Sequence, residues 1–322
     1  MLLRFFLFLL GWAGLFTIKK IKPDRQIFLL RILGKLVVLS MRIPAVHRIY
    51  HSFRKHGHIP REKFLPRASW NDVESNNKDI AVMFSGGKDS TYVAWYLSHY
   101  FKRVHLLTLR LDAIVGLDRC EINIGRLQKS RGRDKFIHHY IDDTDLFVHF
   151  YFKNMEENRR LYGPTAQGAS CTSCKVALEC QAVIFCKKNG IHWMSWGYNP
   201  QSHHSFDQSI LGIQMSEAFL GEYGIRLTVP LWEKPGTDSI EELYRSRVIP
   251  TRKLGKAFQY GMEFSTQGLC PLGIWTTVNQ TRHEFTRGFS SYLNLIAGYR
   301  KHLEKQGVEY LRDVHSILHD QP

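Results

Sequence analysis

The run Asp79–Ser90 constrains the fold more than any other part of the chain. Ile80–Phe84 is a short apolar run of strand type, and Ser85-Gly86-Gly87-Lys88-Asp89-Ser90 follows at once. Thr91–Phe101 then has helical spacing of its apolar residues. Strand, glycine turn and helix, in this order, build a cradle for phosphate. Glycines let the backbone approach an anion, and the N–H groups of the helix's first turn point toward it. Lys88 adds a mobile positive charge, Ser85 and Ser90 offer hydroxyl donors, and Asp89 is placed to hold Mg²⁺ or to cap the helix. A tight turn without a ligand is the plain alternative. A Walker-type loop is excluded, because no glycine stands four residues before a Gly-Lys-Ser/Thr anywhere in the chain.

From Asp79 onward the pattern alternates between strand and helix. Strands are predicted at Ile80–Phe84, Val104–Leu109, Phe136–Ile141, Ile191–Trp196 and Ile225–Val229. Helices are predicted at Asp89–Tyr100, Arg119–Lys129, Leu146–Tyr162, Lys175–Asn189 and Phe206–Phe219, the fourth stopped by Asn189-Gly190. Strands separated by helix-length segments specify an α/β fold: a doubly wound parallel five-stranded sheet with helices on both faces. Ligands in such sheets sit at the carboxyl ends of the strands. The residues expected there are Ser85–Ser90, Leu109–Asp112, Asp142–Asp145 and Gly197–His204, with Asp112 and Asp142 serving either a ligand or a turn. His203 and His204 are loop histidines, suited to acid–base or phosphate contact or simply exposed. The tail His283–His319 reads as one or two amphipathic helices covering the sheet.

Charge divides the chain before this core begins. The net charge is +15 over 322 residues, and residues 1–79 hold fifteen Lys/Arg against five Asp/Glu, a net +10 that leaves +5 for the rest. Residues 1–17 are strongly apolar, but they contain Arg4 and are followed by Lys19 and Lys20. They are short for a membrane span, and their charges follow rather than precede them, unlike an export signal. Ile27–Ile43 sets Arg31, Lys35 and Arg42 among leucines and valines. Two basic, apolar helices fit an interfacial membrane anchor, a basic face toward nucleic acid, or a packed helical subdomain. The expected organisation is therefore a helical N-terminal segment and linker, 1–78, before a catalytic domain, 79–322.

Six cysteines complete the constellation. A disulfide framework does not suit a chain of this length, and an ATP-consuming enzyme belongs in a reducing compartment. Cys180 and Cys186 lie amid apolar residues of a predicted helix and read as core, and Cys120 reads as structural. Cys171 and Cys174 stand at a helix start, where the dipole favours thiolate. Cys270 follows in the small-residue loop Thr266–Gly273. The Cys171/Cys174 pair reads as a cluster, persulfide or zinc site.

Ser85-Gly86-Gly87-Lys88-Asp89-Ser90 resembles the PP-loop signature of the ATP pyrophosphatases, the adenine nucleotide α-hydrolase-like (HUP-like) superfamily. The resemblance implies that Ser85, Gly86, Gly87, Lys88, Asp89 and Ser90, with Asp112, bind Mg²⁺-ATP. It also implies that ATP is cleaved to AMP and pyrophosphate as AMP is placed on a substrate oxygen, with Lys88 and Asp89 catalytic. A CxxC pair and a later lone cysteine, over about residues 79–280, resemble the TtcA/TtuA-type tRNA thiolases. That resemblance implies a [4Fe-4S] cluster on Cys171, Cys174 and Cys270, with sulfur transferred at Cys171 and Cys174 to tRNA. Trp196-Gly197-Tyr198-Asn199-Pro200 instead resembles a segment of the N-acetyl sugar amidotransferases, and stands where the thiolases carry an acidic pair. Under that resemblance the substrate is a sugar nucleotide and ammonia is the incoming group. The expected setting is cytoplasmic, at the inner face of the membrane if residues 1–43 make a peripheral contact. The expected partners are tRNA or a small anionic substrate, a sulfur or ammonia donor protein, and a second copy in a homodimer.

Overall fold

The computed structural model describes residues 77–111, 114, 118, 120–167, 170–200, 205–233, 242–243, 245–248, 280, 283 and 287–319. The expected N-terminal helices, Asp112, His203, His204 and Cys270 lie outside the described residues.

Five parallel strands form one sheet: β1 (Asp79–Met83), β2 (Arg103–Arg110), β3 (Phe136–Asp142), β4 (Trp193–Ser195) and β5 (Arg226–Thr228). Their order is β3-β2-β1-β4-β5. The chain thus builds outward from β1 in one direction, returns beside β1, and builds outward in the other. Because β–α–β crossovers are right-handed, this reversal places the two sets of helices on opposite faces. The strands alternate accordingly. Ile80, Val82 and Phe84 join one core with Val104, Leu106 and Phe136, while Ala81 and Met83 join a second with Leu107, Leu109 and Met194. The arrangement is Rossmann-like, and the loops after β1 and β4 flank the point where strand order reverses.

Helices α1 (Lys88–Leu97) and α2 (Cys120–Arg131) cover the first face through Tyr92, Val93, Leu97, Ile124 and Leu127. The second face is thicker. The β3-to-β4 crossover runs as α3 (Thr144–Phe147), a π-helical turn (Val148–Lys153), α4 (Met155–Gln167) and α5 (Ser170–Lys188). The single helix expected over Leu146–Tyr162 is therefore broken. The π turn carries the aromatic run His149–Phe152, and burying Phe150 and Tyr151 overrides a regular 3.6-residue repeat. Beyond it, Gly163 takes a positive φ of 75°. Helix α5 starts at Ser170, so both cysteines lie within its opening turn.

Asn189-Gly190 ends α5 as expected. Gly190 adopts φ 62°, its N–H bonds Lys187 O at 3.3 Å, and Ile191 N–H bonds Cys186 O at 2.9 Å. This is a Schellman stop, which needs a residue free to enter the left-handed region. After β4, a short 3₁₀ turn (Phe206–Gln208) leads into α6 (Ile210–Glu222), whose N-cap Ser209 accepts from Gly212 N. Helix α7 (Pro230–Glu233) follows β5. The tail forms one helix, α8 (Phe289–His319), of 31 residues. At the 1.5 Å rise of an α-helix it spans about 46 Å. It lies against α5 with Tyr299 and Leu303 buried, and the helices approach so closely at Gly307 that a Cβ there would fall 2.9 Å from Cys180 Sγ. Cys180 and Cys186 are buried in this core, as their apolar context predicts. Among the described residues no helix is long and apolar enough to cross a membrane.

Candidate functional site

The Ser85–Ser90 turn leaves β1 and enters α1 at the carboxyl edge of the sheet. Gly86 takes φ 76°, a conformation glycine adopts at little steric cost. Gly87 is the N-cap, so no side chain of the cap itself closes over the helix N-terminus. The turn is braced from within. Ser90 Oγ donates to Gly87 O at 3.1 Å, Thr91 Oγ1 donates to the same oxygen at 2.7 Å, and Ser85 Oγ lies 3.3 Å from Ser90 Oγ and accepts from Gly87 N. Lys88 and Asp89 are half-buried and Ser85 is exposed.

Two neighbouring elements brace it from outside. Asn123, buried on α2, donates its Nδ2 to Gly86 O at 2.8 Å, and its Oδ1 accepts from Arg126. Thr108 on β2 donates to Phe84 O at 2.8 Å. These contacts occupy the carbonyl oxygens of Phe84 and Gly86. Neither residue was singled out from the sequence. A lone Asn in a helix carries no local signal of a contact 37 positions away.

The segment after β4 closes the other side. Gly197 sits directly on the first turn of α1: a Cβ there would lie 2.8 Å from Ser90 N, 3.0 Å from Ser90 Cα and 3.1 Å from Asp89 C. All three are backbone atoms, so only glycine fits. Asn199 donates Nδ2 to Asp89 Oδ1 at 3.2 Å, and its backbone N–H bonds Gln208 Oε1 at 3.1 Å. Asp89 thus receives an amide donor on one oxygen. Asp142, at the end of β3, accepts from Thr144 N at 3.0 Å, which is the turn role.

Successive residues of an extended segment point to opposite sides. Gly197 and Asn199 face α1, while Trp196 and Tyr198 stack 5.5 Å apart with parallel rings and face the other way. Lys175, the residue after Cys174, lies over both rings. A single segment therefore touches the glycine turn on one side and the cysteine-bearing helix on the other. Cys171 and Cys174 are half-buried, three residues apart in the opening turn of α5, and form no disulfide. Two residues at i and i+3 share a helix face.

Lys175 begins a buried ionic network. Its Nζ lies 3.3 Å from Glu179 Oε1. Glu179 Oε2 is 2.7 Å from Arg300 Nη2, and Arg300 Nε is 2.7 Å from Glu304 Oε1. Glu179 and Arg300 are fully buried. Asp207 joins the network from the 3₁₀ turn, its pKa raised by burial against the pull of Arg300 and Lys175. Burial pushes the Lys175 ammonium down to about 7, against the opposing pull of Glu179. The network was not expected from the sequence, because Glu179 and Arg300 stand 121 positions apart and meet only when α8 packs on α5.

The third cysteine expected at this site, Cys270, and the loop histidines lie outside the described residues; what the structure shows is the Trp196–Asn199 segment touching Asp89 and Ser90 on one side and, through Lys175, the helix that carries Cys171 and Cys174 on the other. The chain matches no model of a known protein family, and a search of curated proteins finds no match.

Proposed function

We propose that this chain is a PP-loop ATP pyrophosphatase of HUP-like fold that adenylates a substrate oxygen and then replaces the adenylate. The observation that carries the reading is the turn at the point of strand-order reversal, with Gly86 in the left-handed region and a glycine N-cap on α1, closed by Gly197 and Asn199. Backbone N–H groups at a helix N-terminus, a mobile lysine and serine hydroxyls suit the polyphosphate of ATP. Bound ATP would supply an electrophilic α-phosphorus and a pyrophosphate leaving group. Lys88 and the Gly87–Ser90 backbone stabilise the charge that gathers on the departing oxygens. Asp89, oriented by Asn199, is the residue to hold Mg²⁺.

The second half of the chemistry belongs to the sulfur site. Cys171 and Cys174 fit two of the three thiolate ligands of a [4Fe-4S] cluster, with Cys270 as the third, and such a cluster would hold the sulfur that displaces AMP. In this reading the product is a thiocarbonyl and the substrate is tRNA. Iron and acid-labile sulfide measured after anaerobic purification test it: both are expected in the wild type and lost in Cys171→Ala, whereas a colourless protein with stoichiometric zinc bound at these cysteines excludes the cluster.

One observation favours amidotransfer as a second reading. Trp196–Asn199, the segment that resembles the sugar amidotransferases, is the segment seated on Asp89 and Ser90. Pyrophosphate release stimulated by tRNA supports thiolation. Release stimulated by ammonium together with a sugar nucleotide supports amidotransfer.

A further inference from the structure

Helix α2 and strand β3 place Cys120 Sγ, a Glu121 carboxylate oxygen and a His138 ring nitrogen within 4.8 Å of one another. The hydrogen bonds around them assign the histidine tautomer. Phe84 O can only accept, so the Thr108 hydroxyl gives it its single proton, at 2.8 Å. The Thr108 oxygen, 2.9 Å from His138 Nε2, must then accept, and Nε2 carries the ring proton. His138 Nδ1 in the neutral ring is therefore a lone pair, and it faces Glu121 Oε1 at 3.4 Å. Tyr140 donates its hydroxyl proton to that same Oε1 at 2.8 Å, and its oxygen lies 3.6 Å from Cys120 Sγ. Two acceptors face each other with a sulfur beside them, an arrangement that a second ring proton or a cation would relieve.

We propose that Cys120, Glu121 and His138 form a binding site for one divalent transition-metal ion of the zinc class, separate from Cys171 and Cys174. Sulfur, imidazole and carboxylate together suit zinc rather than magnesium or calcium, which take oxygen ligands. The Thr108 hydroxyl holding the far ring nitrogen is the outer contact that metal-bound histidines ordinarily have. Three protein ligands leave one coordination position open. The ion enters from solvent on the Glu121 side, where the carboxylate is 54% exposed, while Cys120 is buried behind it. Entry converts the Cys120 thiol to a thiolate bound to the metal and releases one proton to solvent. The site is linked to the glycine turn twice: through His138–Thr108–Phe84, and through Asn123 on the same helix, which holds Gly86 O. Cys120 is thus buried, as a structural cysteine would be, but it has ligand-type neighbours.

The test uses the full chain with Cys171→Ala, Cys174→Ala and Cys270→Ala, so that the thiols proposed for sulfur chemistry contribute nothing. The protein is treated with chelator and titrated with Co²⁺, then with Zn²⁺ in competition. One Co²⁺ per chain with a thiolate-to-cobalt charge-transfer band is expected, displaced by one equivalent of Zn²⁺. Cys120→Ser should abolish the band, and Thr108→Val should weaken Co²⁺ affinity about 10–100-fold, the usual effect of removing an outer contact. Should Cys120→Ser fail to fold, Glu121→Gln on the exposed side serves instead and should weaken affinity at least tenfold. Absence of the band in the starting protein, or a band unchanged by both Cys120→Ser and Glu121→Gln, overturns the proposal. That outcome leaves the ATP reading untouched, since neither Ser85–Ser90 nor Cys171 and Cys174 enter the measurement.

Discussion

The two sides of the Trp196–Asn199 segment are built on opposite electrostatic plans. Toward α1, the donors are all neutral: Asn123 on Gly86 O, Thr108 on Phe84 O, serine and threonine hydroxyls on Gly87 O, and the Asn199 amide on the Asp89 carboxylate. Toward α5, Lys175, Glu179, Arg300 and Glu304 form a chain of ion pairs running into the interior, with Asp207 in their field. Under the function proposed above, the difference separates a surface that receives an anion from one that holds two helices and a strand end in fixed relation. A carboxylate bonded to the N–H groups of the turn would compete with phosphate for them. An ionic network on the far side does not, and it fixes the position of the cysteine helix against Trp196 and Tyr198. Buried ion pairs contribute little net stability, yet removing one member leaves a charge stranded in low dielectric.

The largest expected effect follows from that asymmetry. Arg300→Ala strands Glu179 and should destabilise the fold by about 3–5 kcal/mol, read by urea unfolding. A loss below about 1 kcal/mol would mean that water reaches the network and the two plans are not distinct. Gly197→Ala tests the opposite side. Its Cβ meets only backbone of Asp89 and Ser90, so the turn must shift. A displacement near 1 Å at a reacting site costs about 100-fold in rate, and pyrophosphate release should fall by that order, while the clash lowers stability by about 1–3 kcal/mol.

A pH-dependent effect concerns Asp143, just beyond β3. Burial, and then the neighbouring Asp142, push its carboxyl up to about 8. The folded protein keeps a proton that the unfolded chain releases near pH 4. Stability is therefore greatest below the unfolded value and declines as pH rises toward 8, by up to about 1.4 kcal/mol per pH unit. Urea unfolding across this range should show that slope, and Asp143→Asn should flatten it. An unchanged slope would assign the dependence to other groups. Smallest of all, Asn123→Ala removes one hydrogen bond to Gly86 O and should cost about 1 kcal/mol. It should nonetheless slow pyrophosphate release more than an Ala change at an exposed site on the same helix, such as Lys129, which would sharpen the view that α2 positions the turn.

What could be read from the sequence depended on how far apart the interacting residues stand. The turn at Ser85–Ser90 was legible because strand, glycines and helix are consecutive, and the Asn189-Gly190 stop because its geometry is local. All five strands were placed to within a few residues by their apolar runs, although β4 and β5 proved shorter than expected. Contacts that join distant positions were not legible. Asn123 to Gly86, Glu179 to Arg300 and His138 to Thr108 arise from packing, and none has a local pattern. The broken crossover between Phe147 and Met155 was missed for a related reason, since its aromatic residues satisfy a helical repeat until the core demands a different one. Cys120 was read as structural, because its partners His138 and Tyr140 arrive from strand β3 and not from its own helix.

The account rests on the chemistry of the glycine turn, and the products of ATP test it most directly. The full chain incubated with Mg²⁺-ATP and substrate should yield AMP and pyrophosphate in equal amounts, and Lys88→Ala should slow both together. ADP and orthophosphate as the products would contradict it.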